Sequence, residues 1–153
     1  MKKMSIFELT NKLQDYVNEK SRGFKMQYAF CDTVAPNKYE HKPDNIVNIK
    51  AGDCRKHNYI YQVKAKNCEV KLVKALNMQT NSKQEIIDNY VKYNKANRYA
   101  YIVEVDTILY AIVMTKELFK EFLQTFGRYS EKRNNIRIFR ADSTIWKWAN
   151  ENI

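Results

Sequence analysis

Hydrophobic residues recur along this chain at two spacings, one typical of amphipathic helices and the other typical of strands. Residues 5–20 carry apolar side chains at helical spacing, and Ser5 and Glu8 stand at the spacing of a capping box. These features predict a first helix. The next segment, 24–34, alternates between apolar and polar positions and predicts a strand, followed by a turn at 35–38.

A β-hairpin is predicted in the middle of the first half. Its first strand is 44–50, a polar loop follows at 51–57, and 58–66 is the returning strand. Residues 68–76 are again apolar at alternate positions. They either continue the returning strand through a bulge or form a strand of their own.

The second half alternates helices and strands with clearer boundaries. Ser82 and Glu85 form a second capping box, and the helix that they open extends through Lys95. Residues 98–105 and 108–114 predict two strands joined by a short hairpin turn. The remaining elements are a helix capped by Thr115 and ended by Gly127, a basic loop at 128–135, a strand at 136–139, and a last helix capped by Asp142 or Ser143.

The predicted order is therefore α-β-β-β-α-β-β-α-β-α. With 153 residues and 44% apolar residues, the chain is long enough for one domain with its own core. We expect a single α/β domain covering residues 1–153, with a mixed central sheet flanked by helices.

Charge and cysteine content narrow the classes of partner and compartment. The 27 basic and 17 acidic residues leave a net charge of +10, which favours a polyanion such as nucleic acid, although lysine enrichment also follows from AT-rich coding. No apolar run is long enough to span a membrane, and the N-terminus lacks the apolar core of a signal peptide. An odd number of cysteines, three, fits a reducing compartment, so we expect a cytoplasmic protein without disulfides.

The predicted hairpin carries the candidate chemistry. If its strands fold about residue 53, Asp44 lies opposite Gln62, and Lys64 shares the face of Gln62 because strand side chains alternate. A carboxylate, an amide oxygen and an ammonium would then cluster at one end of the hairpin. Oxygen ligands of this kind suit Mg²⁺. A zinc site formed by His41, Cys54, His57 and Cys68 is permitted by the Cys54-x-x-His57 spacing, but the flanking spacings match no common zinc module.

Pro43-Asp44 followed by Gln62-Val63-Lys64 resembles the PD-(D/E)XK nuclease superfamily, whose core is a helix, a three-stranded meander, a helix and a further strand. The resemblance implies a restriction-endonuclease-like fold, Mg²⁺ with Mn²⁺ as a substitute, and metal contacts from Asp44 and Gln62. It further implies that Lys64 is the family lysine and that Glu8 matches an acid of the first helix. Gln62 departs from the usual acid and implies weaker metal binding.

A second frame remains open, because Glu69-Val70-Lys71 spells the family motif literally. In that frame Glu69 is the metal ligand, Lys71 is the family lysine, and Asp44 or Asp53 is the acid partner. Outside both frames, four arginines and one lysine within residues 128–140 are candidates for phosphate contacts. They are Arg128, Lys132, Arg133, Arg137 and Arg140.

These features favour a magnesium-dependent DNA endonuclease, either a type II restriction enzyme or a phage structure-specific nuclease. A homodimer is expected, because one chain of this size covers about one half-site. The alternative is a non-catalytic nucleic-acid-binding or phage accessory protein with the same fold, for which Gln62 in place of an acid is the main argument. A third hypothesis is that the protein binds an acidic protein partner through its basic surface.

Overall fold

The computed structural model describes residues 4–16, 18, 21–34, 53–71 and 82–153. In chain order the described elements are β1 (Met4–Glu8), a 3-10 helix (Leu13–Tyr16), α1 (Arg22–Val34), β2 (Cys54–Lys56), β3 (Tyr59–Ala65), β4 (Glu69–Val70), α2 (Lys83–Tyr93), β5 (Arg98–Val105), β6 (Ile108–Met114), α3 (Lys116–Phe126), β7 (Gly127–Ser130), β8 (Asn135–Ile138) and α4 (Asp142–Glu151).

The strands form two sheets. The larger sheet has the order β1-β6-β5-β3-β2, and the smaller one has the order β4-β8-β7. Within the larger sheet β3 and β5 are parallel and the other pairs are antiparallel. A parallel pair needs a crossover, and α2 lies in the connection between β3 and β5. The predicted class, α/β with a mixed sheet flanked by helices, is confirmed at this level.

Two hydrophobic cores cover the two faces of the larger sheet. On one face α1 packs through Met26, Ala29 and Phe30 against the strands. On the other face α2, α3, α4 and the smaller sheet enclose a second core, in which the rings of Tyr99 and Phe119 stack at 4.1 Å between centroids. Because both faces of the larger sheet are buried, the sequence of β5 is a nearly continuous run of apolar residues.

The second half follows the predicted boundaries closely, because local signals agree with packing there. The Ser82 hydroxyl accepts the Glu85 N–H at 3.2 Å, and the Thr115 hydroxyl accepts the Leu118 N–H at 3.3 Å. The hairpin of β5 and β6 turns at Asp106 and Thr107, whose φ angles of 51° and 68° are those of a tight hairpin turn.

Gly127 ends α3 as expected, and its position allows no side chain. Its N–H bonds to the Leu123 carbonyl, and a Cβ there would lie 2.4 Å from that oxygen. The chain can therefore pass directly from α3 into β7.

The prediction for the first half was wrong in two elements. Residues 5–20 do not form one helix, because Met4–Glu8 pairs as an edge strand with β6, Ser5 lying opposite Val113. Residues 24–34 form most of α1 rather than a strand. Apolar residues at 24, 26, 28 and 30 fit a strand, while the buried positions 26, 29 and 30 fit a helix equally well, so the spacing alone was ambiguous.

Three further boundaries differ from the prediction. The predicted loop 51–57 contains β2, and the predicted basic loop 128–135 contains β7, which pairs with β8. Asp142 does not cap the last helix. Ala141 occupies the cap position, and the Asp142 carboxylate accepts the Glu104 N–H at 2.9 Å instead. The order of elements therefore differs from the predicted one.

Cys31 of α1 and Cys54 of β2 are joined by a disulfide with a Cα–Cα distance of 5.9 Å. The expectation of a chain without disulfides is contradicted by this pair, which the sequence separation of 23 did not suggest. Cys68 is free. None of the described helices is both long enough and apolar enough to cross a membrane.

Candidate functional site

The register of the hairpin of β2 and β3 decides which carboxylate meets Gln62. Cys54 pairs with Tyr61 and Lys56 pairs with Tyr59, so the chain turns at residues 57–58 and not about residue 53. His57 takes a left-handed φ of 52° in this two-residue turn. Continuing the register by one residue places Asp53 opposite Gln62. The predicted register was therefore wrong, and its aspartate, Asp44, lies outside the described residues.

The Asp53 carboxylate accepts two hydrogen bonds from β3. Its Oδ2 lies 3.0 Å from the Gln62 Nε2 and 2.7 Å from the backbone N of Val63. The Asp53 backbone N–H also donates to the Tyr61 carbonyl at 2.8 Å. These three hydrogen bonds, made with consecutive residues of β3, hold Asp53 beside the Gln62 side chain.

Lys64 projects from the same face of β3 as Gln62, as predicted, and Val63 faces the opposite core. The Lys64 ammonium lies 5.4 Å from the centre of the Tyr90 ring and 3.4 Å from the Glu69 carbonyl oxygen. A cation over an aromatic face and beside a carbonyl is held in one place.

Lys64 is charged at neutral pH. Burial lowers the pKa of its ammonium, but electrostatic attraction to Tyr90, Cys68 and Asp53, together with a hydrogen bond to Tyr90, outweighs burial, and the pKa is raised. The site thus combines a fixed carboxylate, a neutral amide and a cation along the second half of β3.

No family model, curated protein or solved structure matches this chain.

The competing motif has a different environment. Glu69 lies on β4 in the smaller sheet, where its carboxylate contacts the Lys71 ammonium at 3.1 Å and accepts the Asn135 amide at 2.7 Å. The hydrogen bond from Lys71 is the main reason that the pKa of Glu69 is lowered, and Asn135 and Arg137 add to it. Glu69 and Lys71 neutralise each other at the surface, whereas the Asp53 carboxylate accepts hydrogen bonds from Gln62 and Val63.

Glu8, which was also named from the sequence, lies apart from Gln62. Glu8 ends β1 and pairs with Tyr110 of β6, so three strand spacings, about 14 Å, separate its strand from β3. Glu8 therefore does not join the site. Of the four predicted zinc ligands, His41 lies outside the described residues and Cys54 is engaged in the disulfide, so the predicted set of four is not available to a zinc ion.

The oxygen donors present fit Mg²⁺ better than a transition metal. Asp53 offers a carboxylate and Gln62 an amide, and the described residues hold no cluster of three or more histidine, cysteine or acidic side chains. Mg²⁺ is commonly held by one or two carboxylates together with water and substrate phosphates. A single carboxylate is thus compatible with Mg²⁺ when a phosphate completes its coordination.

The basic cluster lies on the strands next to this site. In the smaller sheet Arg137 of β8 has Glu69 on one side and Arg128 on the other. Arg137 also donates to the Asn67 carbonyl at 3.3 Å. The predicted phosphate-binding arginines are therefore brought to the β4 side of Lys64, and three members of the cluster, Lys132, Arg133 and Arg140, are exposed around them.

The sequence analysis named Asp53 only as a possible acid partner of Glu69 and Lys71. The sequence nevertheless contains a pattern that predicts its pairing with Gln62. His57 and Asn58 are two polar residues that directly precede the apolar-rich segment 59–63, as a two-residue turn before a strand would. Folding the strands about that dipeptide pairs 53 with 62.

Proposed function

We propose that this protein is a metal-dependent nuclease with a PD-(D/E)XK core. The observation that carries the proposal is the 3.0 Å hydrogen bond between Asp53 and Gln62, made on the strand that also presents Lys64. Part of the chain supports this proposal, because α1, antiparallel β2 and β3, α2 and parallel β5 follow one another as a helix, antiparallel strands, a helix and a further strand do in the family core, although β4 of the smaller sheet intervenes between β3 and α2. The first strand of the family meander would fall at 44–50, outside the described residues.

Each residue of the site has one role in this proposal. Asp53 and the Gln62 amide oxygen would hold Mg²⁺, which would supply a Lewis acid and a bound water of lowered pKa. Lys64 stabilises negative charge that develops on the phosphate, since it is a fixed cation in a half-buried position. Tyr90 holds the ammonium in place.

The amide of Gln62 must turn for this role, because its nitrogen now faces Asp53. An amide can exchange its nitrogen and oxygen by rotation about one bond. Rotation costs the hydrogen bond to Asp53, and binding of the metal replaces it. Metal binding by Asp53 and Gln62 is therefore expected to be weak without nucleic acid and stronger with it.

DNA is the proposed substrate because the net charge is +10 and the basic side chains of β7 and β8 lie beside the site. A small restriction endonuclease or a phage structure-specific nuclease fits this size, acting as a homodimer on two strands. Mn²⁺ is expected to substitute for Mg²⁺.

A second candidate is a nucleic-acid-binding protein that retains the fold without catalysis. One observation favours it. The Asp53 Oδ2 already accepts two N–H groups, so the resting carboxylate is held by the protein itself.

A cleavage assay with matched variants separates the two candidates. Purified protein is incubated with linear, branched and single-stranded DNA, with Mg²⁺ or with a chelator. Asp53→Asn keeps an oxygen that accepts the Val63 N–H, so it should fold while losing cleavage. The control is Asp88→Asn, which removes an exposed carboxylate whose partners are Lys120 at 3.4 Å and the Gln84 amide at 2.8 Å.

The nuclease proposal predicts metal-dependent cleavage by the wild type and by Asp88→Asn, and a loss of at least about a hundredfold in Asp53→Asn. DNA binding by all three proteins without cleavage by any would support the non-catalytic candidate. Cleavage that Asp53→Asn leaves unchanged would remove Asp53 from the site.

A further inference from the structure

Phe139 is an apolar side chain left on the surface of the most basic part of the described structure. It is 45% exposed and follows the last residue of β8. Its ring has two cations over it, the Arg137 guanidinium at 5.1 Å and the Arg128 guanidinium at 5.9 Å from its centre. We call Phe139, Arg128 and Arg137 the aromatic–arginine platform.

The pleat of β8 places the platform on the outer face of the smaller sheet. Ile136 and Ile138 are fully buried in the core. The alternate residues, Arg137 and Phe139, therefore point outward, and Arg128 lies opposite Arg137 on β7. Packing of the core does not require an aromatic ring at position 139.

The platform lies close to the proposed catalytic lysine. Lys64 contacts the Glu69 carbonyl, and Glu69 pairs with Arg137. Phe139 is two residues further along β8, which puts its backbone about 8 Å from that of Glu69. This span corresponds to two or three base steps of about 3.4 Å in a stacked strand.

The platform carries more positive than negative charge around it. Among the described residues, no carboxylate forms an ion pair with Arg128. Arg137 donates to the Asn67 carbonyl and lies opposite Glu69, whose ion pair is with Lys71. Within residues 128–140, Lys132, Arg133 and Arg140 add three more basic side chains against one acid, Glu131. A ring between two guanidinium groups suits a nucleobase with its phosphates.

We infer that the platform binds an unpaired nucleotide of the substrate, with the base stacked on Phe139 and the neighbouring phosphates on Arg128 and Arg137. In an intact duplex the face of each base is covered by its neighbours, so Phe139 has access only to a base at an end, a flap, a gap or a junction. This inference rests on the proposed function for the position of the scissile phosphate. The preferred substrate is then DNA with unpaired nucleotides a few steps from the cleavage site.

The binding test uses labelled DNA without divalent metal, so that cleavage does not interfere. Fluorescence anisotropy compares a blunt duplex, the same duplex with a single-stranded flap, and the single strand. Phe139→Leu removes the ring and keeps an apolar side chain, and Arg128→Gln removes one cation. The matched control is Tyr93→Leu, because Tyr93 is 46% exposed and lies under the Lys92 ammonium at 5.3 Å on α2.

The inference predicts that Phe139→Leu weakens binding of the flap and single strand by about tenfold, as stacking of one base implies, and leaves duplex binding within about twofold. Arg128→Gln weakens all three, most at low salt. Tyr93→Leu changes none. A flap-to-duplex ratio that is the same in Phe139→Leu and in wild type overturns the inference, and so does an equal loss on all three DNAs.

Cleavage of the same substrates with Mg²⁺ separates this inference from the proposed function. Cleavage of flap and duplex at equal rates, unchanged by Phe139→Leu, removes the platform and leaves the nuclease. Binding of unpaired DNA that depends on Phe139 without any cleavage retains the platform and removes the nuclease.

Discussion

The chain contains two short motifs of the same form seven residues apart, Gln62-Val63-Lys64 and Glu69-Val70-Lys71, and their surroundings differ. The first lies on β3, inside the larger sheet and between two other strands. Its lysine is held by an aromatic ring and a carbonyl. The second lies at the two-residue strand β4, where Glu69 and Lys71 form an ion pair with each other.

The literal motif is therefore the weaker candidate, and the motif with a neutral residue is the stronger one. A carboxylate can serve a metal only when it is not already neutralised, and a lysine can act on a substrate only when its position is fixed. The charge of Glu69 is neutralised by Lys71. Gln62 has no charge, but its strand partner Asp53 brings one to the same place.

The largest expected effect is on the cleavage rate when Lys64 is replaced, with the replacement of Lys71 as the comparison. Lys64→Met removes the cation and keeps an unbranched stem against Tyr90, so we expect cleavage to slow by about a hundredfold or more. Lys71→Met should change the rate by less than about threefold, because Lys71 is exposed and contacts Glu69. Single-turnover rates with saturating Mg²⁺ measure both. A reversed order of the two variants would select the Glu69 frame.

The disulfide next to Asp53 has the next largest expected effect. It closes a separation of 23 residues and joins β2 to α1, so replacing both Cys31 and Cys54 by Ser should cost about 3 kcal/mol of unfolding free energy. Urea denaturation gives this value. Alkylation of the native, untreated protein should label one thiol, that of Cys68, and labelling of three would contradict the pairing.

Replacing Gln62 by Glu tests the contact with Asp53 and is expected to cost less stability than removing the disulfide. The new carboxylate would lie within hydrogen-bonding distance of Asp53, so the two charges repel and we expect a loss of about 1–2 kcal/mol at neutral pH. Added Mg²⁺ should recover this loss, because two acids bind it better than one.

The matched control for that variant is Gln84→Glu. Gln84 makes the same kind of bond, its Nε2 lying 2.8 Å from the Asp88 carboxylate on the exposed face of α2. Solvent screens the repulsion there, so thermal denaturation should show little loss and no recovery with Mg²⁺. Equal behaviour of the two variants would mean that the Asp53 site has no special affinity for metal.

The smallest effect belongs to Glu69 and is a dependence on pH. Its pKa is lowered in the folded state, so its contribution to stability is present above the unfolded value near 4.5 and is lost as pH falls through the lowered value. Glu69→Gln should therefore be less stable than wild type at pH 7, within the roughly 0.2–1 kcal/mol of exposed pairs, and equal to it in strong acid. A difference that persists in acid would show that the effect of Glu69 is not electrostatic.

Sequence reasoning placed the elements of the second half well because their caps and turns are local. Ser82, Thr115 and Gly127 act on neighbours within four residues. The first half depended on distant pairing. Met4–Glu8 becomes a strand because β6, more than a hundred residues later, accepts it as a partner. No local spacing carries that information.

For the site, the face shared by Gln62 and Lys64 follows from the period of a strand and was predictable. The carboxylate depended on the position of one turn. A hairpin centred at 57–58 instead of 53 exchanges Asp44 for Asp53. The platform was not predictable as a unit, because pairing of β8 with β4 and β7 is what brings it next to Lys64.

The central claim is that Asp53 is the carboxylate of a metal site beside Lys64. The most direct measurement is calorimetric titration of Mn²⁺ into the protein bound to single-stranded DNA with a non-hydrolysable phosphate backbone, comparing wild type, Asp53→Asn and Asp44→Asn. The account predicts that Asp53→Asn abolishes the metal-binding signal while the complex with DNA remains intact. Metal binding by Asp53→Asn that equals that of wild type, together with its loss in Asp44→Asn, would contradict the account.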